Sequence, residues 1–148
     1  MTVATLAENS SAKFPAFFCA ESSFKSPLNI QSAEEAAGLI YANNFALNQD
    51  NGVLLAVPIP SEHSVDNQLM EEIIMKALQE CAEKGVVGKD ITPFILQKVN
   101  LLTAGQSLQA NQALIENNAK HGAKIAVHLS HLRRKKSALQ SESVEDKR

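Results

Sequence analysis

Two asparagines and a glycine interrupt an apolar stripe in the last third of this 148-residue chain. The stripe steps by three and four residues, which places its side chains on one side of a helix; its members are Leu108, Asn111, Ile115, Asn118, Gly122, Ile125 and Leu129. A buried carboxamide without partners costs about 1–3 kcal/mol, so we expect Asn111 and Asn118 to be bonded. Either they bond neighbouring backbone and fix the packing, or at least one faces a polar ligand.

The helix that carries these asparagines should begin at Ser107, whose hydroxyl suits an N-cap. The helix before it should be capped by Thr92, with Pro93 at its first position. Farther upstream, an apolar stripe at helical spacing predicts a helix from Asp66 to Lys84, ended by Gly85 at the C′ position.

A run of apolar residues without alternation, Val53–Val57, predicts a strand covered on both faces. Ser32 should cap a helix that ends at about Asn43 or Asn44. Glu34 and Glu35 support this start, because acidic side chains favour the positive N-terminal end of a helix. These elements predict an α/β fold that is rich in helix, with one or two core strands and about four helices.

Both ends of the chain differ in composition from the middle. Residues 1–13 are small, polar and unpatterned, and we expect a loose tail there. Residues 133–148 begin with four basic residues and continue with Ser, Gln and Glu, and we expect a charged, disordered tail. The folded domain should therefore span residues 14–132.

Composition argues against several functional classes. A net charge of −2 and the absence of Trp give no reason to expect nucleic-acid binding. No apolar run has the length of a membrane span, and the N-terminus lacks the pattern of a signal peptide. Cys19 and Cys81 are far apart and predict free thiols in a reducing compartment, so we expect a cytoplasmic protein.

No catalytic or metal-binding constellation can be recognised from spacing. The four histidines form no zinc pattern with Cys or carboxylates, and we expect them at the surface: His63, His121, His128 and His131. We therefore predict no catalytic residue and no metal ligand in this chain.

Several segments, in order and almost without gaps, resemble the C-terminal signature of the pseudouridine-5′-phosphate glycosidases, a family that includes the indigoidine synthase A-like proteins. They are Phe14-Pro-Ala-Phe17, Thr92-Pro-Phe-Ile-Leu96, Leu102-Thr-Ala-Gly105, Ser107-Leu108, Asn111 and Asn117-Asn118-Ala119. Two positions depart from the family pattern: Ala104 replaces the first glycine of a Gly-Gly pair, and Val57 replaces the Asn of an Asn-Pro-Ile-Pro loop. The resemblance covers about residues 14 to 130, the C-terminal half of a family member, and implies part of a three-layer α/β/α domain.

The resemblance also implies a reaction. Family members cleave the carbon–carbon bond between uracil and ribose 5-phosphate, or form it in reverse, with a Schiff-base lysine, a glutamate and a divalent metal such as manganese. None of those groups can be matched to a residue here. Lys124 lies in a Gly-Ala-Lys run inside the C-terminal helix and does not match the family lysine.

What the resemblance transfers to this chain is one substrate contact. The family's site asparagine should match Asn111, with Asn118 as second choice, and a carboxamide suits uracil because both offer donors and acceptors. We expect an N-terminally truncated glycosidase-like chain, inactive alone, with weak or no binding of pseudouridine 5′-phosphate. It should associate as a homotrimer, as family members do, or with a full-length or N-terminal-half partner. The alternatives are a non-catalytic assembly or regulatory fragment, and one half of a split enzyme.

Overall fold

The computed structural model describes residues 1–7 and 13–145, with 138–145 described by their backbone. The chain divides into two compact units. The sheet unit contains Met1–Phe14, Phe24–Val57 and the chain from Asn118 onward. The helical unit contains Pro15–Ser23 and Pro58–Asn117.

The sheet unit is built on three parallel strands in the order β2-β1-β3. The strands are β1 (Thr2–Leu6), β2 (Asn29–Ile30) and β3 (Val53–Ala56). In the register, Leu6 pairs with Ile30 and Thr2 pairs with Val53. Parallel strands with intervening helices confirm the predicted α/β class.

The central strand β1 lies where we expected a loose tail, so that expectation was wrong for residues 1–7; residues 8–12 of the expected tail lie outside the described residues. Ala4, Thr5 and Leu6 are at most 1% exposed. The segment is short, and its two threonines interrupt the apolar residues, so it lacks the continuous apolar run that usually marks a buried strand. Pairing on both edges supplies the order that composition did not indicate. The limits of the predicted 14–132 domain stay a prediction.

Strand β3 was expected to be covered on both faces, and only one face is. Leu55 packs against the core of the sheet unit, beside Ala4, Leu6 and Ile30. Leu54, whose side chain points to the other face, is 48% exposed. Within the described residues, β3 is also an edge strand of the sheet.

Helix α1 (Ala33–Tyr41) follows β2 and is capped as predicted. Ser32 Oγ accepts a hydrogen bond from Glu35 N at 3.1 Å, and Glu35 Oε2 accepts one from Gln31 N at 2.8 Å. The helix then widens into a π-helical turn, Ala42–Ala46. It therefore ends a few residues beyond the expected Asn43 or Asn44.

The helical unit contains α2 (Asn67–Glu83), α3 (Ile91–Leu102) and the first part of α4 (Gln106–Glu145). Asp66 Oδ1 caps α2 by accepting from Leu69 N at 2.8 Å, and Gly85 has a φ of 63° at its C-terminal end, as predicted. The core joins these helices to the segment around Phe18; its buried members are Phe18, Cys19, Ile59, Met70, Ile73, Ala77, Val99 and Ala110.

Helix α3 begins earlier than the sequence indicated. A 3-10 turn (Gly88–Asp90) leads directly into Ile91, so Asp90 is the residue before the helix and Thr92 lies inside its first turn. Pro93 still falls in that turn, where its missing N–H is tolerated. The expected Thr92 cap is therefore wrong.

Helix α4 continues to Glu145, so the expected disordered tail from residue 133 is wrong as far as the structure describes it. Within the sheet unit, the Arg133 guanidinium lies 4.8 Å from the centre of the Phe45 ring. Lys136 Nζ donates a hydrogen bond to the Phe45 carbonyl oxygen at 3.1 Å. These contacts with the turn after α1 give the basic run a packing role. Residues 146–148 lie outside the described residues.

Candidate functional site

The connection between α3 and α4 is held by one threonine. Thr103 Oγ1 donates to the Val99 carbonyl at 2.8 Å and accepts from Ser107 N at 3.2 Å. Ser107 therefore lies inside the first turn of α4, and our expectation that it caps the helix was wrong. Thr103 thus bonds the last turn of α3 and the first turn of α4. It is buried, with 6% of its surface exposed.

Two residues of this connection have left-handed backbone conformations. Ala104 has a φ of 49° and Gly105 a φ of 87°. Glycine adopts this region without steric cost, whereas a residue with a Cβ is strained there by about 1–2 kcal/mol. The Ala104 departure from the Gly-Gly pattern therefore falls at a position whose backbone favours glycine.

The buried side of α4 in the helical unit is shifted by one residue from the predicted stripe. Ser107 and Ala110 are 3% and 2% exposed, and Leu114 packs against the core. Leu108 and Ile115, from the predicted stripe, are 53% and 59% exposed. Both stripes have helical spacing. The stripe with small side chains at 107 and 110 is the buried one, because small side chains let α4 pack closely against the core.

A cavity of about 150 Å³ lies between the start of α4, α3 and the Phe17–Phe18 segment. Its lining residues are Phe17, Phe18, Leu96, Asn100, Ser107, Leu108 and Asn111. Apolar walls with a few polar groups are typical of ligand sites. The volume is that of a cavity known to hold a single benzene ring.

Asn111, the first predicted site residue, is half-buried and lines this cavity. Its carboxamide offers both a donor and an acceptor to anything bound there. The two aromatic residues of the wall form an edge-to-face pair with ring centres 4.6 Å apart. Because Phe17 is 54% exposed, its ring is available to a ligand.

Asn118, the second predicted site residue, is exposed and is not among the cavity residues. Gly122 is also exposed, and a Cβ added there would meet nothing within 4 Å. The structure thus places one of the two predicted asparagines at the cavity.

Two other asparagines have positions that sequence patterns did not indicate. Asn117 Nδ2 donates to the Pro58 carbonyl at 3.0 Å and so ties α4 to the loop after β3. Asn100 reaches the cavity from α3. The shifted stripe would have identified Asn117, since it lies at i+3 from Leu114 and i+7 from Ala110. No sequence pattern identifies Asn100.

Val57 stands where the family loop has an asparagine. Its side chain is half-buried and packs against the apolar core of the sheet unit. The position therefore contributes packing in this chain and offers no hydrogen bond. The loop's polar link to α4 is made instead by the carbonyl of Pro58.

Both cysteines are free thiols, as predicted, and both are buried. Burial raises the pKa of the Cys19 thiol above its ordinary value of 9.0, and the negative charges of Asp66 and Glu71 raise it further. A thiol with a raised pKa is a poor nucleophile at neutral pH. Cys19 is therefore a packing residue.

No group of three or more His, Cys, Asp or Glu residues in the described part of the chain has the arrangement to hold a metal ion. His63 and His131 are exposed as expected, whereas His121 and His128 are half-buried. Among the described residues, no helix is both long and apolar enough to cross a bilayer.

Comparisons with known proteins agree with the fold and extend the matched region. The family model described as "Indigoidine synthase A like protein" matches residues 1–128. The match includes residues 1–13, which the resemblance had left out. Pseudouridine-5′-phosphate glycosidase from Arabidopsis thaliana is 48% identical over 122 residues, which are 82% of this chain and 37% of that protein.

Two solved structures share the fold. The prealnumycin C-glycosynthase AlnA, solved with ribulose 5-phosphate, aligns over 90% of this chain and 43% of its own, with a TM-score of 0.79 and 23% identity. An indigoidine synthase A-like protein from Thermotoga maritima aligns over 87% of this chain and 41% of its own, with a TM-score of 0.70 and 30% identity. The chain thus spans about two fifths of the length of its relatives, and it belongs to the indigoidine synthase A-like, or pseudouridine-5′-phosphate glycosidase, family.

Proposed function

We propose that this chain supplies the base-binding part of a pseudouridine-5′-phosphate glycosidase site, with Asn111 as the residue that contacts uracil. The observation that carries the proposal is the position of Asn111. It is the asparagine of the family motif, and it lines a cavity with room for one six-membered ring. The nearby Phe17 ring offers an apolar face for a planar base.

The chemistry that Asn111 contributes is recognition and charge stabilisation. Its N–H group can donate to a uracil carbonyl, and its oxygen can accept from a ring N–H. A donor fixed beside a carbonyl stabilises negative charge that develops on the base when its bond to the sugar breaks. Asn118 remains the second choice for this role, and its exposure makes Asn111 the stronger candidate.

The bond-breaking groups lie outside what we assign to this chain. No residue matches the Schiff-base lysine that the family resemblance implies. The donor groups of the described residues do not fit a manganese site, so we derive no step through a metal. We therefore propose that the 148-residue chain does not cleave pseudouridine 5′-phosphate alone. Activity would require a full-length subunit or an N-terminal-half partner.

Uracil binding tests the site directly. We expect the chain to bind uracil with a Kd of about 1 mM, because a ligand of this size has a limited affinity. Asn111→Leu should weaken binding about tenfold, the value of a hydrogen bond lost from a ligand site. Gln112→Leu makes the same chemical change at the next, exposed position and should have no effect. Equal binding by Asn111→Leu and the unaltered chain would refute the proposal.

The catalytic part has its own test. The purified chain, incubated with pseudouridine 5′-phosphate and manganese, should release no free uracil. The upstream part of the Arabidopsis relative, added in trans, should restore release, and Asn111→Leu should reduce it. Uracil release by the chain alone would show that a catalytic lysine lies within these 148 residues.

A second candidate function is assembly without catalysis. It is favoured by the exposed apolar side chains of the helical unit: Leu101, Leu108 and Ile115 are each more than 50% exposed. Exposed apolar clusters mark sites of association. Sedimentation should then show a trimer or a complex with a full-length relative, and Ile115→Glu should dissociate it. A monomer at all concentrations, with no binding to the relative, would exclude this role.

We also propose a cytoplasmic location. The two cysteines are unpaired and buried, which agrees with a compartment that keeps thiols reduced. Fractionation of cells that express the tagged chain would test this.

A further inference from the structure

Asn100 lines the cavity with an unsatisfied side chain. Its Oδ1 is among the buried side-chain atoms of the described residues that have no hydrogen-bond partner. A buried carbonyl oxygen without a partner destabilises a fold, and native structures contain few of them. Its position therefore needs a reason other than packing.

The backbone around Asn100 is bonded without using the side chain. Its carbonyl oxygen accepts from Gly105 N at 3.0 Å. The Thr103 hydroxyl also lies 3.3 Å from this oxygen, but it donates its single hydrogen to the nearer Val99 carbonyl. The bond from Gly105 closes the end of α3, so the Asn100 side chain is not needed there. The carboxamide is therefore available at the wall of the cavity, which Asn100 lines.

We propose that Asn100 is a specificity-determining residue of this site, whose Oδ1 accepts the N1–H of the bound base, the ring N–H that uridine lacks. This inference rests on the proposed function. Asn100 contacts the cavity from α3, while Ser107 and Asn111 contact it from α4. A planar base between the two helices would meet a polar group from each of them.

The chemistry of the base explains why an extra acceptor is useful. In pseudouridine the sugar is attached to carbon, so both ring nitrogens keep their hydrogens. In uridine one ring nitrogen carries the sugar and has no hydrogen to donate. A site built to accept a hydrogen bond rejects an analogue that lacks the donor, because the buried acceptor is then left unpaired. Asn100 therefore favours the carbon-linked nucleotide.

The test compares stability with binding in one variant. Asn100→Leu keeps the size of the side chain and removes the unpaired oxygen. We expect a higher Tm and about tenfold weaker binding of uracil. Gln97→Leu, an exposed position on the same helix, is the matched control and should leave uracil binding unchanged. An asparagine with a purely structural role would lower the Tm when replaced.

A second variant separates acceptor from donor. Asn100→Asp keeps the acceptor oxygens and removes the N–H donors, so it should retain uracil binding. Because Asn100 accepts from N1–H, 1-methyluracil should bind equally to the unaltered chain and to Asn100→Leu, whereas 3-methyluracil should keep the difference between them. A difference that persists with 1-methyluracil would overturn the inference.

The two proposals fail in different ways. Normal uracil binding by Asn100→Leu together with weak binding by Asn111→Leu would overturn the role of Asn100 and leave the proposed function standing. Absence of uracil binding by the unaltered chain would overturn both.

Discussion

Buried polar side chains have different surroundings in the two units of the chain. In the sheet unit, Thr5 Oγ1 and Asn29 Oδ1 are both buried without a hydrogen-bond partner, and they belong to residues paired in register on neighbouring strands. In the helical unit, Asn100 Oδ1 is also buried without a partner, but Asn100 lines a cavity. The two units therefore differ in what lies beside the unpaired oxygen: paired strands in the sheet unit and a cavity that could hold a ligand in the helical unit.

The same contrast extends to the cores. The sheet unit is packed around small and aliphatic residues, including Ala4, Leu6, Ile30 and Ala36. The helical unit has larger side chains, such as Phe18 and Met70, and combines them with polar links at the ends of its helices. We therefore expect truncation of apolar side chains to cause the largest losses of stability in the sheet unit. In the helical unit, substitution of polar side chains should show how much their hydrogen bonds contribute to stability.

The largest effect is expected from Leu6→Ala in the central strand. Leu6 is 1% exposed and lies in the core of the sheet unit, and truncation of such a residue costs about 2–5 kcal/mol. Leu54→Ala, in an exposed position of β3, should cost less than about 0.5 kcal/mol. Urea unfolding measures both. Similar small losses for the two variants would mean that residues 1–6 do not belong to the fold.

The second prediction compares two adjacent asparagines of α4. Asn117→Ala removes the bond to the Pro58 carbonyl and should cost about 1–3 kcal/mol. Asn118→Ala, at an exposed position, should change stability by no more than about 0.5 kcal/mol. Both variants gain the same helix propensity, so the difference between their free energies of unfolding reports the hydrogen bond alone. Equal values would show that the bond contributes nothing.

Sequence patterns predicted the fold where local signals were strong. For helix α2, the long apolar stripe and the terminal glycine predicted from the sequence agree with the structure. Strand β1 was missed because its burial comes from pairing with β2 and β3, which are distant in sequence. Local propensity cannot report such long-range pairing.

The sequence identified only some of the residues that line the candidate cavity, for a similar reason. The family motif located Asn111, which does line the cavity. The stripe around it was displaced by one residue because two stripes of helical spacing overlap in α4. Close packing of Ser107 and Ala110 selects one of them. The position of Asn100 at the cavity depends on how α3 packs against α4. The residues that neighbour Asn100 in sequence do not indicate that packing.

The third prediction concerns the connection between α3 and α4 in the helical unit. Ala104→Gly should raise stability by about 0.5–1 kcal/mol, because glycine relieves the strain of a φ of 49° and loses part of the gain to its greater freedom when unfolded. Ala119→Gly is the control, since Ala119 is exposed inside α4 and should lose about 1 kcal/mol. A loss of stability in Ala104→Gly would contradict the left-handed conformation.

The smallest effect is expected from the ion pairs of Glu80 in the helical unit. Glu80 Oε1 lies 2.8 Å from Lys84 Nζ on the same helix and 2.7 Å from Lys98 Nζ on α3. Hydrogen bonds from Lys84 and then Lys98 lower the pKa of Glu80 below its ordinary value of 4.5. A carboxyl whose pKa is lower in the folded state stabilises the fold above its unfolded pKa, and this stabilisation is lost as the pH falls.

The test is therefore the pH dependence of Glu80→Gln. The variant and the unaltered chain should differ slightly in Tm at pH 7, and the difference should shrink as the pH falls below about 4.5. High salt should reduce it too, because the pair is exposed to solvent. Glu72→Gln, on an exposed part of α2, provides the matched control. A difference that did not depend on pH would assign the effect of Glu80 to helix propensity, and the polar link between α2 and α3 would then contribute nothing to the helical unit.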